Sequence, residues 1–147
     1  LDLVGRKMPA HMGRYLRRFF HPIQDWIGAH TADPELQPFV LPLAKAFGRL
    51  QVATGQIAKA GLKDPNEAAA ASSEYLKLFA LVALAFLWAR MAQTAMRQKD
   101  SSEPEFYEAK IKTAQFFMER VLPQTGALLS SIMAGGSTLM NFSDDAF

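Results

Sequence analysis

The sequence predicts an all-α fold, an antiparallel up-and-down four-helix bundle with proline kinks. Three observations lead there. Four stretches repeat apolar residues at the three-and-four spacing of a helix, and only short breaks separate them. No stretch alternates with the period of two that marks a half-buried strand. Leu78–Ala89 reads LFALVALAFLWA, a dozen apolar residues in succession. A membrane span takes about 20 such residues, whereas a run of about 10–14 suits a helix buried on every side. This run is therefore expected to be the central helix of the bundle, with no integral membrane segment.

The first pattern, Met12, Leu16, Phe19, Ile23 and Ile27, leaves Arg14, Arg17, Arg18 and His21 on the other side, which predicts a first helix with a basic outer face. Pro22 lacks an N–H and crowds the preceding turn, so a kink or break is expected at His21, and the helix should stop near Gly28. A turn at Thr31-Ala32-Asp33-Pro34 leads to Phe39, Leu43, Phe47, Leu50, Ala53, Ile57 and Ala60, the apolar face of a second helix. Pro38 and Pro42 should confine its regular part to the residues beyond them, and Gly61 should end it.

Asp64-Pro65-Asn66-Glu67 carries the signals of a helix start: Asp64 as cap, Pro65 at the first helical position, and Glu67 at the third as in a capping box. A third helix is expected from here, through the apolar run, to about Gln98. Lys99-Asp100-Ser101-Ser102 is the next break, and Ser102 with Glu105 repeats the capping-box spacing ahead of Tyr107, Ile111, Ala114, Met118 and Val121. That is the fourth helix. Pro123 should kink or restart it, Leu128, Leu129, Ile132 and Met133 continue its apolar face, and Gly135-Gly136 should end it.

Composition bounds the class. At 147 residues the chain fits one domain, and roughly 70% of the unfolded surface can be buried at that length without a disulfide or a metal. Hydrophobic residues at 50%, charged residues at 20% and a net charge of +2 describe an ordinary globular protein, not a disordered or polyelectrolyte one. The absence of cysteine excludes a disulfide scaffold and cysteine-ligated zinc and suits a reducing compartment, so a cytoplasmic location is expected. The chain opens on Leu1 without the charged leader, apolar core and cleavage site of a signal peptide, and it is read as cut from a longer polypeptide.

Few residues offer chemistry. Neither Glu-x-x-His nor His-x-x-x-His spacing occurs around His11, His21 or His30, so no metal site is expected. Ser72, Ser73, Ser130, Ser131 and Ser137 lack the strand-turn-helix setting of a nucleophile and read as caps and packing positions. Gly135-Gly136 follows a helix, whereas phosphates bind where one begins, so the pair reads as a C-cap. Asp144-Asp145 lies in a terminal tail, a poor place to hold an acid and a base rigidly. Arg6, Lys7, Arg14, Arg17 and Arg18 form the one basic cluster, read as a solvated helix face or a docking surface, with peripheral membrane or nucleic-acid binding as a rival. Phe79, Phe86, Trp88, Phe116 and Phe117 read as core, with an acyl-chain pocket as the alternative. No catalytic, cofactor-binding or metal residue is assigned.

Three stretches in order carry a resemblance: Asp2-Leu3-Val4-Gly5-Arg6-Lys7; Tyr75-Leu76-Lys77-Leu78-Phe79 leading to Trp88-Ala89-Arg90-Met91-Ala92; and Lys112 to Pro123 followed by Asp144-Asp145-Ala146-Phe147. The chain resembles the C-terminal part of the larger bacterial acyl-CoA dehydrogenases, the subgroup with an extra helical domain that includes the methylthiopropanoyl-CoA dehydrogenases. The family's catalytic glutamate lies in a Tyr-Glu-Gly-Thr motif just ahead of a helix similar to Leu3-Val4-Gly5-Arg6, so the resemblance implies that the glutamate falls outside this chain. It also implies FAD in the parent enzyme but none in this fragment, an acyl-CoA substrate for the parent, and the catalytic part of the same polypeptide as partner. A homo-oligomer is expected through the parent and no nucleic acid is expected. Residues 1–10 are then the end of a helix continuing from the catalytic part, 11–140 the C-terminal bundle, and 141–147 the native tail. The alternative is a freestanding helical module that holds an acyl chain or acyl-CoA between helices two, three and four.

Overall fold

A computed structural model of the chain describes residues 1–11, 13–98, 102–140 and 142. Met12, Lys99-Asp100-Ser101 and Asp144-Asp145, which the sequence reading used, lie outside the described residues. All regular structure among the described residues is helical. It comprises a π-helical turn Asp2–Lys7, then α1 Arg14–His30, α2 Gln37–Gly61, α3 Pro65–Ala70, α4 Ser72–Arg97, α5 Pro104–Phe116, α6 Thr125–Met133 and α7 Ser137–Met140. A π-helical turn, Phe117–Val121, and a 3-10 turn, Leu122–Gln124, join α5 to α6.

The all-helical class is borne out, while the expected four helices are more finely divided. The third breaks at Ala71, a buried residue with φ −84° and ψ −2° that separates α3 from α4. The fourth breaks where Pro123 removes a donor, and the chain changes its hydrogen-bond register through the π and 3-10 turns before α6 begins. Pro22, by contrast, sits within an unbroken α1. It lies on the exposed side, where the carbonyl it leaves without a partner can turn to water. α1 also outruns Gly28 by two residues, and His30 Nδ1 and Thr31 Oγ1 bond the carbonyls of Trp26 and Ile27 at 2.7 Å each. α2 starts ahead of Pro38 and carries Pro42 inside it, so its regular part is longer at that end than the prolines implied. It ends at Gly61 as the sequence predicts.

The two expected capping boxes come out differently. Asp64 caps α3, its Oδ1 accepting from the Asn66 N–H at 2.9 Å. Glu67 does not fold back onto that cap, and its carboxylate accepts the N–H of Gly136 at 2.8 Å. α5 begins with Pro104 behind Glu103, and Ser102 falls one residue too early to cap it.

The core forms around α2 and α4. Phe39, Val40, Leu43, Ala46, Leu50 and Ala53 of α2 are buried, as are Tyr75, Leu78, Val82, Ala85, Ala89 and Ala92 of α4. The alanines at 85, 89 and 92 lie on one face, where small side chains let neighbouring helices approach closely. α4 lies against α2, α5 and α6, and α1 reaches it through Phe19, stacked on Phe79 at 4.3 Å. One side of α4 is open. Leu76, Leu84, Leu87 and Met91 are exposed, Leu76 at 55% and Leu87 at 50%, so the apolar run is not buried on every side as the sequence suggested. By length and composition alone Ser72–Arg97 could cross a membrane.

Candidate functional site

An apolar cleft of about 670 Å³ opens between the first turn of the chain, α2 and α3. Val4, Met8 and Leu16 form one wall, and Ile57, Leu62 and Ala68 face them. Two glycines shape it. A side chain at Gly61 would bring its Cβ within 3.0 Å of Ala68 Cβ, so glycine lets α3 fold back tightly on α2. Gly13 takes φ +73°, a left-handed conformation that turns the chain into α1.

Thr54 is the polar side chain in the wall of this cleft. Its hydroxyl donates to the Leu50 carbonyl at 2.7 Å, which leaves its oxygen to accept from Tyr75 Oη at 2.8 Å. Burial pushes the Tyr75 phenol above its ordinary pKa of 10.0. Such a site can hold an alkyl chain or an apolar side chain; it presents no cluster of donors for a phosphate.

A second concavity, about 410 Å³, runs between α4 and α5. Leu87, Met91 and Thr94 face Phe106 and Tyr107 across it, with Arg90 and Lys110 in its walls. Each cation lies near a ring, Arg90 at 5.5 Å from the centre of Phe86 and Lys110 at 5.1 Å from that of Phe106. A third, about 110 Å³, is lined by Lys45 and Arg49 with Pro42, Met118, Leu122 and Pro123. Arg49 donates to the buried Thr125 hydroxyl at 2.8 Å, and Gly126 keeps the space that its guanidinium occupies.

The residues weighed from sequence do not gather at these places. Phe79 and Phe86 are half-buried, Phe86 meeting Trp26 edge-on at 6.3 Å, and Trp88 packs near Phe117 at 6.4 Å. Phe116, expected in the core, is 60% exposed because the π turn begins directly after it and rotates Phe117 inward instead. None of these five lines the 670 Å³ cleft. Arg14, Arg17 and Arg18 are exposed on α1, and Arg6 pairs with Asp2 at 2.6 Å on the surface. Ser73, Ser130, Ser131 and Ser137 are not drawn into any of the three concavities. Gly135, φ +74°, follows the last residues of α6, in the manner of a C-cap. No group of three His, Asp or Glu side chains comes together among the described residues.

Three polar links were not foreseen. Trp26 Nε1–H donates to Gln93 Oε1 at 3.1 Å, Gln93 Nε2 meets His30 Nε2 at 2.5 Å, and His30 Nδ1 meets the Trp26 carbonyl at 2.7 Å. With Nδ1 as its donor, the neutral ring accepts from Gln93 and the network is complete. The other two are Arg49 to Thr125 and Glu67 to Gly136. All three join residues more than sixty positions apart, which local spacing does not reveal. The Thr54–Tyr75 pair was closer to hand, since Thr54 falls between Leu50 and Ile57 at helical spacing.

Residues 19–143 match the family model described as acetyl-CoA dehydrogenase C-terminal like. The chain is 30% identical over 144 residues to 3-methylmercaptopropionyl-CoA dehydrogenase of Ruegeria pomeroyi, an alignment that covers 97% of this chain and 24% of that protein. The chain thus spans about a quarter of the length of the relative it matches. With most of its helices inside the matched region, it belongs to the acetyl-CoA dehydrogenase C-terminal-like family.

Proposed function

We propose that this chain is the C-terminal structural and interaction domain of an FAD-dependent acyl-CoA dehydrogenase, packing on the catalytic part of the same polypeptide. The carrying observation is the family match over residues 19–143 together with the relative aligned over nearly the whole chain. In that reading the parent enzyme oxidises an acyl-CoA to the 2-enoyl-CoA: a carboxylate base takes the α-proton and FAD takes a hydride from the β-carbon. The lining of the apolar cleft does not suit FAD. The 670 Å³ cleft is apolar apart from Thr54, and the arginines of α1 stand apart from it. Flavin and catalytic base are therefore assigned to the remainder of the polypeptide.

Within this assignment the π turn Asp2–Lys7 is the end of a helix from the catalytic part, seated by Val4 and Met8. Residues 11–140 are the bundle, and the succession of α1, α2, the α3–α4 pair and the α5–α6 pair supports its reading as four rods. The enzyme works in the cytoplasm, and this domain supports its oligomeric contacts or its active-site walls.

The test is made on the full-length protein that contains this chain. Purified intact, it should show flavin absorbance and reduce an artificial electron acceptor when given an acyl-CoA, while residues 1–147 alone should do neither. An intact protein without flavin, or turnover by the isolated chain, would overturn the assignment. A second reading, a module that binds an acyl chain, is favoured by one observation, the size and apolar lining of the cleft under Val4 and Ile57, which lies beside the first turn, α2 and α3 and not between helices two, three and four as the sequence suggested. Calorimetry with a long-chain acyl-CoA decides it: no heat removes it, and heat abolished by Ile57→Arg supports it.

A further inference from the structure

The exposed stripe on α4 and the groove beside it form one continuous apolar surface. Leu76, Leu84, Leu87 and Met91 fall within one sector of the helix, opposite Leu78, Val82, Ala85 and Ala89. Leu87 and Met91 also line the 410 Å³ groove, where Phe106 of α5, 53% exposed, extends the surface sideways. Isolated exposed leucines need no explanation, but a contiguous row on a helix whose other faces are packed marks a contact surface.

Charge indicates what covers it. From Tyr75 to Arg97, α4 carries Lys77, Arg90 and Arg97 and neither Asp nor Glu. The groove adds Lys110 and again no carboxylate. A second copy meeting this face through its own identical face would set a rim of cations against a rim of cations. The complementary partner is an apolar surface edged by carboxylates. A source is at hand on the reading proposed above: the alignment to the relative covers 24% of that protein, so about three quarters of a comparable polypeptide lies outside this domain.

We infer that the α4 stripe, with the Phe106 groove, is the face by which this domain docks on the remainder of the dehydrogenase polypeptide, through an acid-edged apolar surface. The inference rests on the function proposed above, and it adds the location and the charge of the interface.

The experiment uses the full-length protein. Leu76→Cys and Leu87→Cys are compared with Val52→Cys and Lys59→Cys, exposed positions on α2, and maleimide labelling is followed by peptide mass spectrometry. Because labelling needs an accessible thiolate, the stripe cysteines should react roughly tenfold or more slowly than the controls. In the parent protein, carbodiimide coupling should then join Lys77 or Lys110 to an Asp or Glu outside this domain. Three results overturn the inference: stripe cysteines that label at the control rate, cross-links from these lysines only to a second copy of the domain, or protection that appears only after anionic phosphatidylglycerol vesicles are added. Flavin absorbance of the same samples separates the two readings. Flavin with an unprotected stripe rejects the docking face alone, and a protected stripe without flavin rejects the dehydrogenase assignment.

Discussion

Tyr75 shows how one side chain ties the centre of this fold to pH. Its phenol is fully buried and donates to Thr54, and burial raises its pKa above 10.0. The unfolded chain therefore loses this proton first as pH rises. The contribution to stability is complete below about pH 10 and declines as pH climbs from there through the raised folded value. Urea melts across the alkaline range should show that decline, and Tyr75→Phe should flatten it. At neutral pH the same variant should lose about 1 kcal/mol, the net worth of one hydrogen bond. A Tyr75→Phe protein with an unchanged alkaline decline would show that other groups cause it. Gly135 is the second residue-scale case. Its φ of +74° suits glycine, and a side chain there would also meet Glu67 Oε2 at 3.1 Å. Gly135→Ala should destabilise by about 1–2 kcal/mol, read from the same melts. The sequence identified this glycine pair as a helix stop. It did not reveal that a carboxylate 69 positions away would close on the turn, because nothing in a local window marks that partner.

At the scale of elements, α4 separates what periodicity can tell from what it cannot. A dozen apolar residues announced a helix and its place in the interior, and both hold for its packed faces. A run apolar on all sides gives no period, so it could not say which sector would stay open. The sector left open holds Leu76, Leu84 and Leu87. The energetic centre moves accordingly. Leu78 is fully buried, and Leu78→Ala should cost about 2–5 kcal/mol, whereas Phe86→Ala, from a half-buried position, should cost less. Equal costs in thermal melts would make Phe86 as central to the core as Leu78. The contact of α1 with α4 depends on the Trp26–Gln93–His30 network as well as on Phe19 and Phe79. Gln93→Leu leaves the Trp26 indole N–H and one His30 nitrogen without partners, so a loss of about 1–3 kcal/mol is expected. Trp26 emission should shift to the red as α1 loosens. A shift without lost stability would mean that water had replaced the glutamine.

For the molecule as a whole, fold class and family were legible and the surfaces were not. The helix start at Asp64 and the stop at Gly135 stand because a cap and a left-handed glycine act locally, and Gly61 ends α2 where Ala68 approaches too closely for a side chain. Pro22 and Pro123 look alike in sequence and behave differently. Both are exposed, but Pro22 sits inside a continuous helix, whereas Pro123 falls in the 3-10 turn where the chain changes register. The 670 Å³ cleft draws its walls from Val4 to Ala68, residues that no single period connects. The whole-molecule expectation is an intact parent that holds flavin and oxidises an acyl-CoA, with the domain contributing contact surface rather than reacting groups.

The Glu67–Gly136 hydrogen bond also bears on the order in which the chain organises itself. It ties α3, a helix of six residues, to the turn that follows α6. So short a helix is marginal without outside support. During synthesis α3 must then wait for most of the chain, including α4, α5 and α6, before its end is anchored. Closing so long a loop costs entropy that packing of the longer helices has already met by that point. α3 should therefore be the last helix to gain protection in pulsed hydrogen exchange. Removing residues from Gly135 onward should free α3 and one wall of the apolar cleft while leaving α2 and α4 paired.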